Sequence, residues 1–391
     1  MPVINRIAAF HDDMTAWRRD LHQHPELALR ETRTSAVVQR RLRDFGVDEV
    51  VTGLATTGVV GVIRAGTSSR AIGLRADMDA LPILEETGAA YASTTPGVMH
   101  ACGHDGHTTM LLGAARYLAE TRNFDGTVYL IFQPAEEHIG GGEIMVREGL
   151  FDRFPMDQVF GMHNWPSVPA GEFQWRDGPV MAAVATIEIT VRGRGAHGAY
   201  PHVGVDPVVT AAAIVTALQT IVARNVDPLE NGVVTIGAIS GGNAHNVIPQ
   251  AVTMLGTARW FAPAVGDALE AGVRRIATHV ALAHGAAADV TFERSYPAVV
   301  NDPAATGMAR RAMTAVAGEA RVAHMEQPTM GGEDFSFMLN QKQGSYIMLG
   351  AGRGTADPQV HHPKYDFNDD ILPIGASYWA TLVEQLLPPQ P

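Results

Sequence analysis

Apolar residues along this chain come in short runs that alternate with stretches of helical spacing, the pattern of an α/β protein. Thr127–Phe132 (TVYLIF) predicts a buried strand, and Ala71–Arg75, Gln158–Met162 and Ser345–Leu349 predict three more. Met110, Leu111, Ala114, Tyr117 and Leu118 recur three and four apart, so a helix is expected after the segment GHDGHT. The middle of the chain reads differently. Ala185–Val191 alternates apolar and polar positions, as a half-buried strand does. Pro207–Ala223 predicts an apolar helix, with Asp206 as its cap and Pro207 in its first turn. Gly232–Ile239 and Ala251–Phe261 predict strands, Pro263–His284 a long helix with Leu269, Val273, Ile276 and Val280 on one face, and Asp289–Glu293 a closing strand. That order, β-α-β-β-α-β, is a ferredoxin-like layout. A smaller α/β domain, residues 181–294, is therefore expected as an insertion in a larger domain made of residues 1–180 and 295–391.

Composition narrows the function. At about 150 residues per domain, 391 residues allow two or three domains. A net charge of −12 argues against a non-specific nucleic-acid binder, which needs a basic face. The single cysteine, Cys102, permits no intrachain disulfide and fits a reducing compartment. The Pro207–Ala223 stretch is short for a membrane span and carries Thr210, Thr216, Gln219 and Thr220. The N-terminal segment has no signal-type apolar core and meets Asp12 and Asp13 at once. A cytoplasmic protein without membrane or nucleic-acid partners is the expectation.

Histidine stands out, with sixteen copies. His100-Ala101-Cys102-Gly103-His104-Asp105-Gly106-His107 gathers thiol, imidazole and carboxylate, the metal-ligand set; a polar loop capping the next helix would read the same way. Glu136 and Glu137 follow directly on the TVYLIF strand. Adjacent carboxylates repel unless a cation lies between them or one holds a proton. One could bind metal while the other moves a proton; a solvated helix start is the alternative. Asp77-Met78-Asp79 and His163 also come directly after predicted strands, and His361-His362-Pro363 lies near the C-terminus. Polar residues thus collect at strand ends, where open α/β sheets bind ligands. Gly193–Gly198 matches G-x-G-x-x-G after a strand, but Tyr200-Pro201 replaces the helix that a dinucleotide fold requires.

Together, WRRDLHQHPELALRE, GLRADMDALPI, MHACGHDGHT, FQPAEE, GMHNWP, GAHGAYPHVGVDPV, NVIPQAV, MGGEDFSFM and HHPKYDFND resemble the aminoacylase-type dinuclear metallopeptidases, in their hippurate hydrolase (N-acyl-amino-acid amidohydrolase) branch. They run in order from about residue 17 to residue 370. The resemblance implies a catalytic domain with a central mixed sheet flanked by helices, and an inserted domain for dimerisation and substrate binding. It implies two divalent ions per subunit (zinc or manganese, with cobalt or nickel as alternatives), bridged by Cys102 and held by His104, Glu137, His163 and His361, with His362 competing for the last place. Glu136 would be the general base, and Asp79 would orient a ligand histidine. His197 would stabilise the oxyanion across a dimer, and Asn246 and Arg259 would hold the substrate, Arg259 by its carboxylate. The implied activity is hydrolysis of N-acyl amino acids by a homodimer or homotetramer. A dipeptidase or carboxypeptidase with the same metals, or a non-catalytic metal-binding dimer, are the alternatives. His138-Ile139 after the PAEE segment, and His245 before NVIP, depart from the family pattern.

Overall fold

Parallel strands covered on both faces need continuous apolar runs, and Val128–Phe132 and Ile347–Leu349 are such runs, fully buried. In the computed structural model, which describes residues 3–389, they belong to one eight-stranded mixed sheet. Its order is Glu49–Leu54, Gly58–Ala65, Gly126–Gln133, Ala71–Asp77, Gln158–Pro169, Gln343–Gly352, Phe173–Trp175 and Val322–His324. Four neighbours, from Gly126–Gln133 to Gln343–Gly352, run parallel. The sheet belongs to a first compact unit, formed by the chain up to Val180, Val299–Pro328 and the chain from Glu333 onward. Residues 1–2 and 390–391 of the expected larger domain lie outside the described residues. Helices His104–Thr121 and Leu372–Leu386 pack on each other in its core, the latter burying Tyr378 and Trp379.

Several elements run a few residues past their expected ends, and two of these differences bear on the site. The Gln158 strand does not stop at Met162 but continues to Pro169. Its parallel pairing with Gln343–Gly352 carries on through Met348↔His163 and Leu349↔Asn164, because a ladder is made by backbone and tolerates polar side chains. The helix begins at His104 rather than after GHDGHT. Gly103, at φ 91°, turns the chain there, and a Cβ on it would lie 2.5 Å from Asn164 Nδ2.

The second unit, Met181–Ala298 with Thr329–Gly332, is a four-stranded antiparallel sheet in the order Gly232–Ser240, Ala251–Trp260, Ala183–Arg192, Ala287–Arg294. Helices Pro207–Asn225 and Pro263–Ala283 pack together over it, completing the ferredoxin-like arrangement. Ala185, Ile187, Ile189 and Val191 point into its core while Thr186 and Glu188 face out. Asp206 caps its helix by accepting the Val208 and Val209 N–H groups. Pro207–Asn225 is long and apolar enough to cross a membrane, yet Ile214, Leu218 and Ile221 are buried in the unit's own core. Gly193–Gly198 opens no helix; within it Ala196–His197 pairs with Val247–Ile248.

Candidate metal centre

The first unit brings Cys102, His104, Glu136, Glu137, His163, His361 and Asp79 into one cluster. Asp79 is buried and holds two of them. One carboxylate oxygen lies 3.2 Å from His104 Nδ1, and the other accepts the Glu137 N–H at 3.0 Å. His104 Nδ1 also donates to the Asp79 carbonyl, so Nε2 is the nitrogen left to meet a cation once its proton is lost, and it is buried with no hydrogen-bond partner among the described residues. His163 repeats the arrangement: Nδ1 donates to the Asn164 carbonyl at 2.6 Å, leaving Nε2 3.3 Å from Cys102 Sγ. An imidazole with one nitrogen anchored and the other bare is how proteins prepare a metal ligand.

Glu137 Oε1 lies 3.1 Å from His361 Nε2 and 3.9 Å from His104 Nε2, without the alignment of a hydrogen bond. His362 turns elsewhere and accepts the Lys364 N–H, so His361 is the one that joins the cluster. The donor atoms of Cys102, His104 and His163 lie within 4.8 Å of one another, as do those of Cys102, Glu137 and His361. The sulfur belongs to both triplets, which is what a thiolate shared by two cations requires. Soft sulfur, imidazole and carboxylate suit zinc and its neighbours among the divalent transition ions. The residues present therefore fit two divalent ions.

Electrostatics agree. Burial, then the carboxylates of Glu137, Glu136 and Asp77, pushes the Cys102 thiol well up. Burial, then Glu333, Glu137, Asp334 and Asp79, pushes the Glu136 carboxyl well up. Burial lowers His163 strongly, with His107 adding to it. For His104, burial opposes the charge but Asp77, Asp79 and Glu137 outweigh it and raise the ring to about 10. An acid-rich buried pocket of this kind is short of positive charge.

Several residues behind the cluster escaped the strand-end criterion. Arg75 is fully buried and bonds Asp77 at 2.7 Å, and Glu333 and Asp334 at 2.9 Å each. Glu333 and Asp334 lie beside Glu136, late in the loop between strand Val322–His324 and helix Ser336–Leu339, well beyond the strand's end. Their adjacent pairing after Gly331-Gly332, like that of Glu136–Glu137, was the available signal. His107 donates from Nδ1 to Asp77 at 2.6 Å and accepts the Asn164 N–H, and Asn164 in turn donates to the Cys102 carbonyl.

His197, Asn246 and Arg259 lie in the second unit. His197 pairs opposite Val247, and the Asn246 carbonyl accepts the Gly198 N–H at 2.7 Å, so these two loops run side by side. His245 lines an open hollow with Gly198 and Asn243. Arg259 is half buried on the Ala251–Trp260 strand. Its guanidinium donates to Thr257 and to the Ala258 carbonyl and, among the described residues, has no carboxylate partner.

A mixed α/β sheet carrying a thiol–imidazole–carboxylate donor set around one shared sulfur defines the class of dinuclear metallohydrolases. The chain belongs to Peptidase family M20/M25/M40, whose pattern matches residues 73–385. It is 39% identical over 387 residues to a hippurate hydrolase of Campylobacter jejuni, covering 99% of this chain and 100% of that one. It is 40% identical over 364 residues to an N-acetyl-L-cysteine deacetylase of Bacillus subtilis, covering 93% and 85%. A solved dinuclear metal binding peptidase of the M20 family from Bacillus subtilis superposes with a TM-score of 0.83 at 34% identity, over 97% of this chain and 99% of that one. This protein is thus a hydrolase acting on amide bonds of small molecules, with a site for two divalent metals.

Proposed function

We propose that the protein cleaves N-acyl amino acids into a carboxylic acid and a free amino acid. The observation that carries this reading is the pair of donor triplets sharing Cys102 with Glu136 alongside, in a chain whose relatives include a hippurate hydrolase and an N-acetyl-L-cysteine deacetylase. Cys102, His104, Glu137, His163 and His361 would hold two ions, zinc or manganese first and cobalt or nickel next. Bound divalent ions supply Lewis acidity at the acyl carbonyl and at the attacking water. Glu136, which is not needed in either triplet, takes the proton of the attacking water and returns it to the leaving amine. Asp79 keeps the His104 ring and the Glu137 backbone in place. His197 donates to the oxyanion. Asn246 and Arg259 hold the amino-acid half, and the planar guanidinium fork matches its carboxylate.

The second unit supports dimerisation as well as substrate binding. The edge strand Gly232–Ser240 exposes Ile239, its neighbour exposes Leu255, and helix Pro207–Asn225 exposes Val208 and Val209. Unpaired apolar edges of this kind favour association, here as a homodimer or homotetramer, with His197 serving the partner's site. A thiol as the only cysteine supports a cytoplasmic setting.

The test is amine release from N-acyl amino acids, benzoyl-glycine and N-acetyl-methionine included. Wild type, chelator-stripped protein with zinc or manganese restored, and Glu136→Gln are compared. Metal-dependent release is expected, with Glu136→Gln losing about 10²–10⁴-fold in kcat while still binding two ions. Undiminished turnover in Glu136→Gln would remove it from the role of base.

A further inference from the structure

The loop that presents Glu136 and Glu137 starts from an unusual residue. Ala135 is fully buried and sits at φ 57°, the left-handed region that an alanine rarely occupies without external support. Its carbonyl accepts the Gly140 and Gly141 N–H groups at 3.1 and 2.9 Å, which closes the turn carrying both glutamates. Its N–H donates to the carboxylate of Glu31 at 2.9 Å. The other oxygen of Glu31 accepts the Thr57 hydroxyl at 2.7 Å.

Glu31 is itself fully buried and, among the described residues, has no cationic partner. It does not cap the helix that it precedes: Glu26 does, accepting the Arg33 and Thr34 N–H groups at 3.0 and 2.8 Å. Three further non-glycine residues in left-handed conformation, Leu29, Ala55 and Thr56, lie within two residues of Glu31 or of Thr57. Strained backbone of this kind persists only where surrounding groups hold it.

We propose that Glu31 is a positioning residue for the reaction: by holding the Ala135 N–H it fixes the left-handed start of the loop and so aims Glu137 at the metal centre and Glu136 at the substrate. This rests on the roles proposed above for those two glutamates. It explains why a buried carboxylate 105 positions from Glu136 in sequence stands where a neutral side chain would cost less to bury.

Four variants test it: Glu31→Gln, Glu31→Leu, Ala135→Gly, and the last two combined. Three quantities are read: zinc affinity by competition with a chelator, amide exchange at Ala135, and kcat and KM on the best N-acyl amino acid. Gln keeps an acceptor for Ala135 and can donate to the Thr57 oxygen, so it should stay within about twofold of wild type. Glu31→Leu should expose the Ala135 amide and lose roughly 10–100-fold in both zinc affinity and kcat, with KM moved less than about threefold. Glycine adopts the left-handed conformation freely, so Ala135→Gly in the Leu background should restore about tenfold of that loss. If Glu31→Leu does not fold, Glu31→Asp, one methylene short of the amide, carries the same expectations. The proposal is overturned if Leu keeps wild-type zinc affinity and kcat, if Gln loses as much as Leu, or if Ala135→Gly restores nothing. Should wild type with two bound ions cleave no N-acyl amino acid, the proposed substrate fails, while the zinc and exchange readings still decide the role of Glu31.

Discussion

Arg259 shows what a single side chain can specify. A half-buried guanidinium that bonds only the neutral Thr257 hydroxyl and Ala258 carbonyl, with no carboxylate beside it among the described residues, has given up hydration without gaining an opposite charge, and burial accordingly lowers its pKa. A substrate carboxylate would supply that partner. Arg259→Ala should raise KM at least about tenfold for substrates with a free α-carboxylate, in line with loss of a charged hydrogen-bond pair. It should change KM for the corresponding amides far less, and equal effects on both would take Arg259 out of that role. His22 makes a different kind of statement. Burial disfavours its charged ring, but hydrogen bonds to Asp105 (2.8 Å) and Glu85 (3.3 Å) win and lift its pKa to about 9. A pKa raised on folding contributes stability in full below the unfolded value near 6.5 and loses it as pH climbs through about 9. The contribution is roughly 3–4 kcal/mol at about 1.4 kcal/mol per pKa unit. The urea midpoint should therefore fall between pH 6.5 and 9.5 in wild type, and that part of the slope should be missing in His22→Gln.

At the scale of elements, the helix His104–Thr121 places the donor His104 in its first turn, and Gly106 lets it lie against the chain near the C-terminus. A Cβ at Gly106 would meet the Phe367 ring at 2.1–2.5 Å. Gly106→Ala must displace the ring or the helix, at a cost of about 1–3 kcal/mol by the usual penalty for overpacking. The urea midpoint should fall accordingly, and zinc affinity should fall with it because His104 is two residues away. Wild-type values for both would show that Phe367 can move freely. Element types were readable in advance because their signals are local: the apolar run at Val128–Phe132, the alternation at Ala185–Val191, the Asp206-Pro207 cap. Element ends were less so. His163 looked like a residue beyond a strand, yet it sits within one, since the partner strand Gln343–Gly352 supplies the pairing that its own side chain does not advertise.

For the whole molecule, the candidate ligands span residues 102–361 and close the chain on itself at one point. A ligand bound only by the native state stabilises it by RT ln(1 + [L]/Kd), about 4 kcal/mol at a thousandfold excess over Kd. Stripping the metals should lower the melting temperature, and zinc or manganese should restore it, as calorimetry can check. Identical melting with and without chelator would mean that the ions bind folded and unfolded chains alike, or not at all. The acids gathered at the centre make the same point electrostatically. Asp77, Asp79, Glu136, Glu333 and Asp334 are buried and Glu137 is partly so, while Arg75 pairs with Asp77, Glu333 and Asp334. Such a concentration of charge is costly unless cations complete it.

What the amino-acid order determined by itself was chemistry and local form. The segments around Cys102 and His104, Glu136–Glu137, His163 and His361–His362 announce thiol, imidazole and carboxylate by residue type, their resemblance to a known family supplies the expected ligand set, and periodicity announces an α/β chain with a ferredoxin-like insertion. What only the tertiary structure decided were meetings between distant residues. It chose His361 over His362 for the place beside Glu137, brought Glu333 and Asp334 to Glu136, and set Glu31 under Ala135. A side chain's type is written at its own position. Its partner is selected by packing across the whole chain, and the backbone conformation of Ala135 has no signature in sequence because it is imposed from 104 residues away.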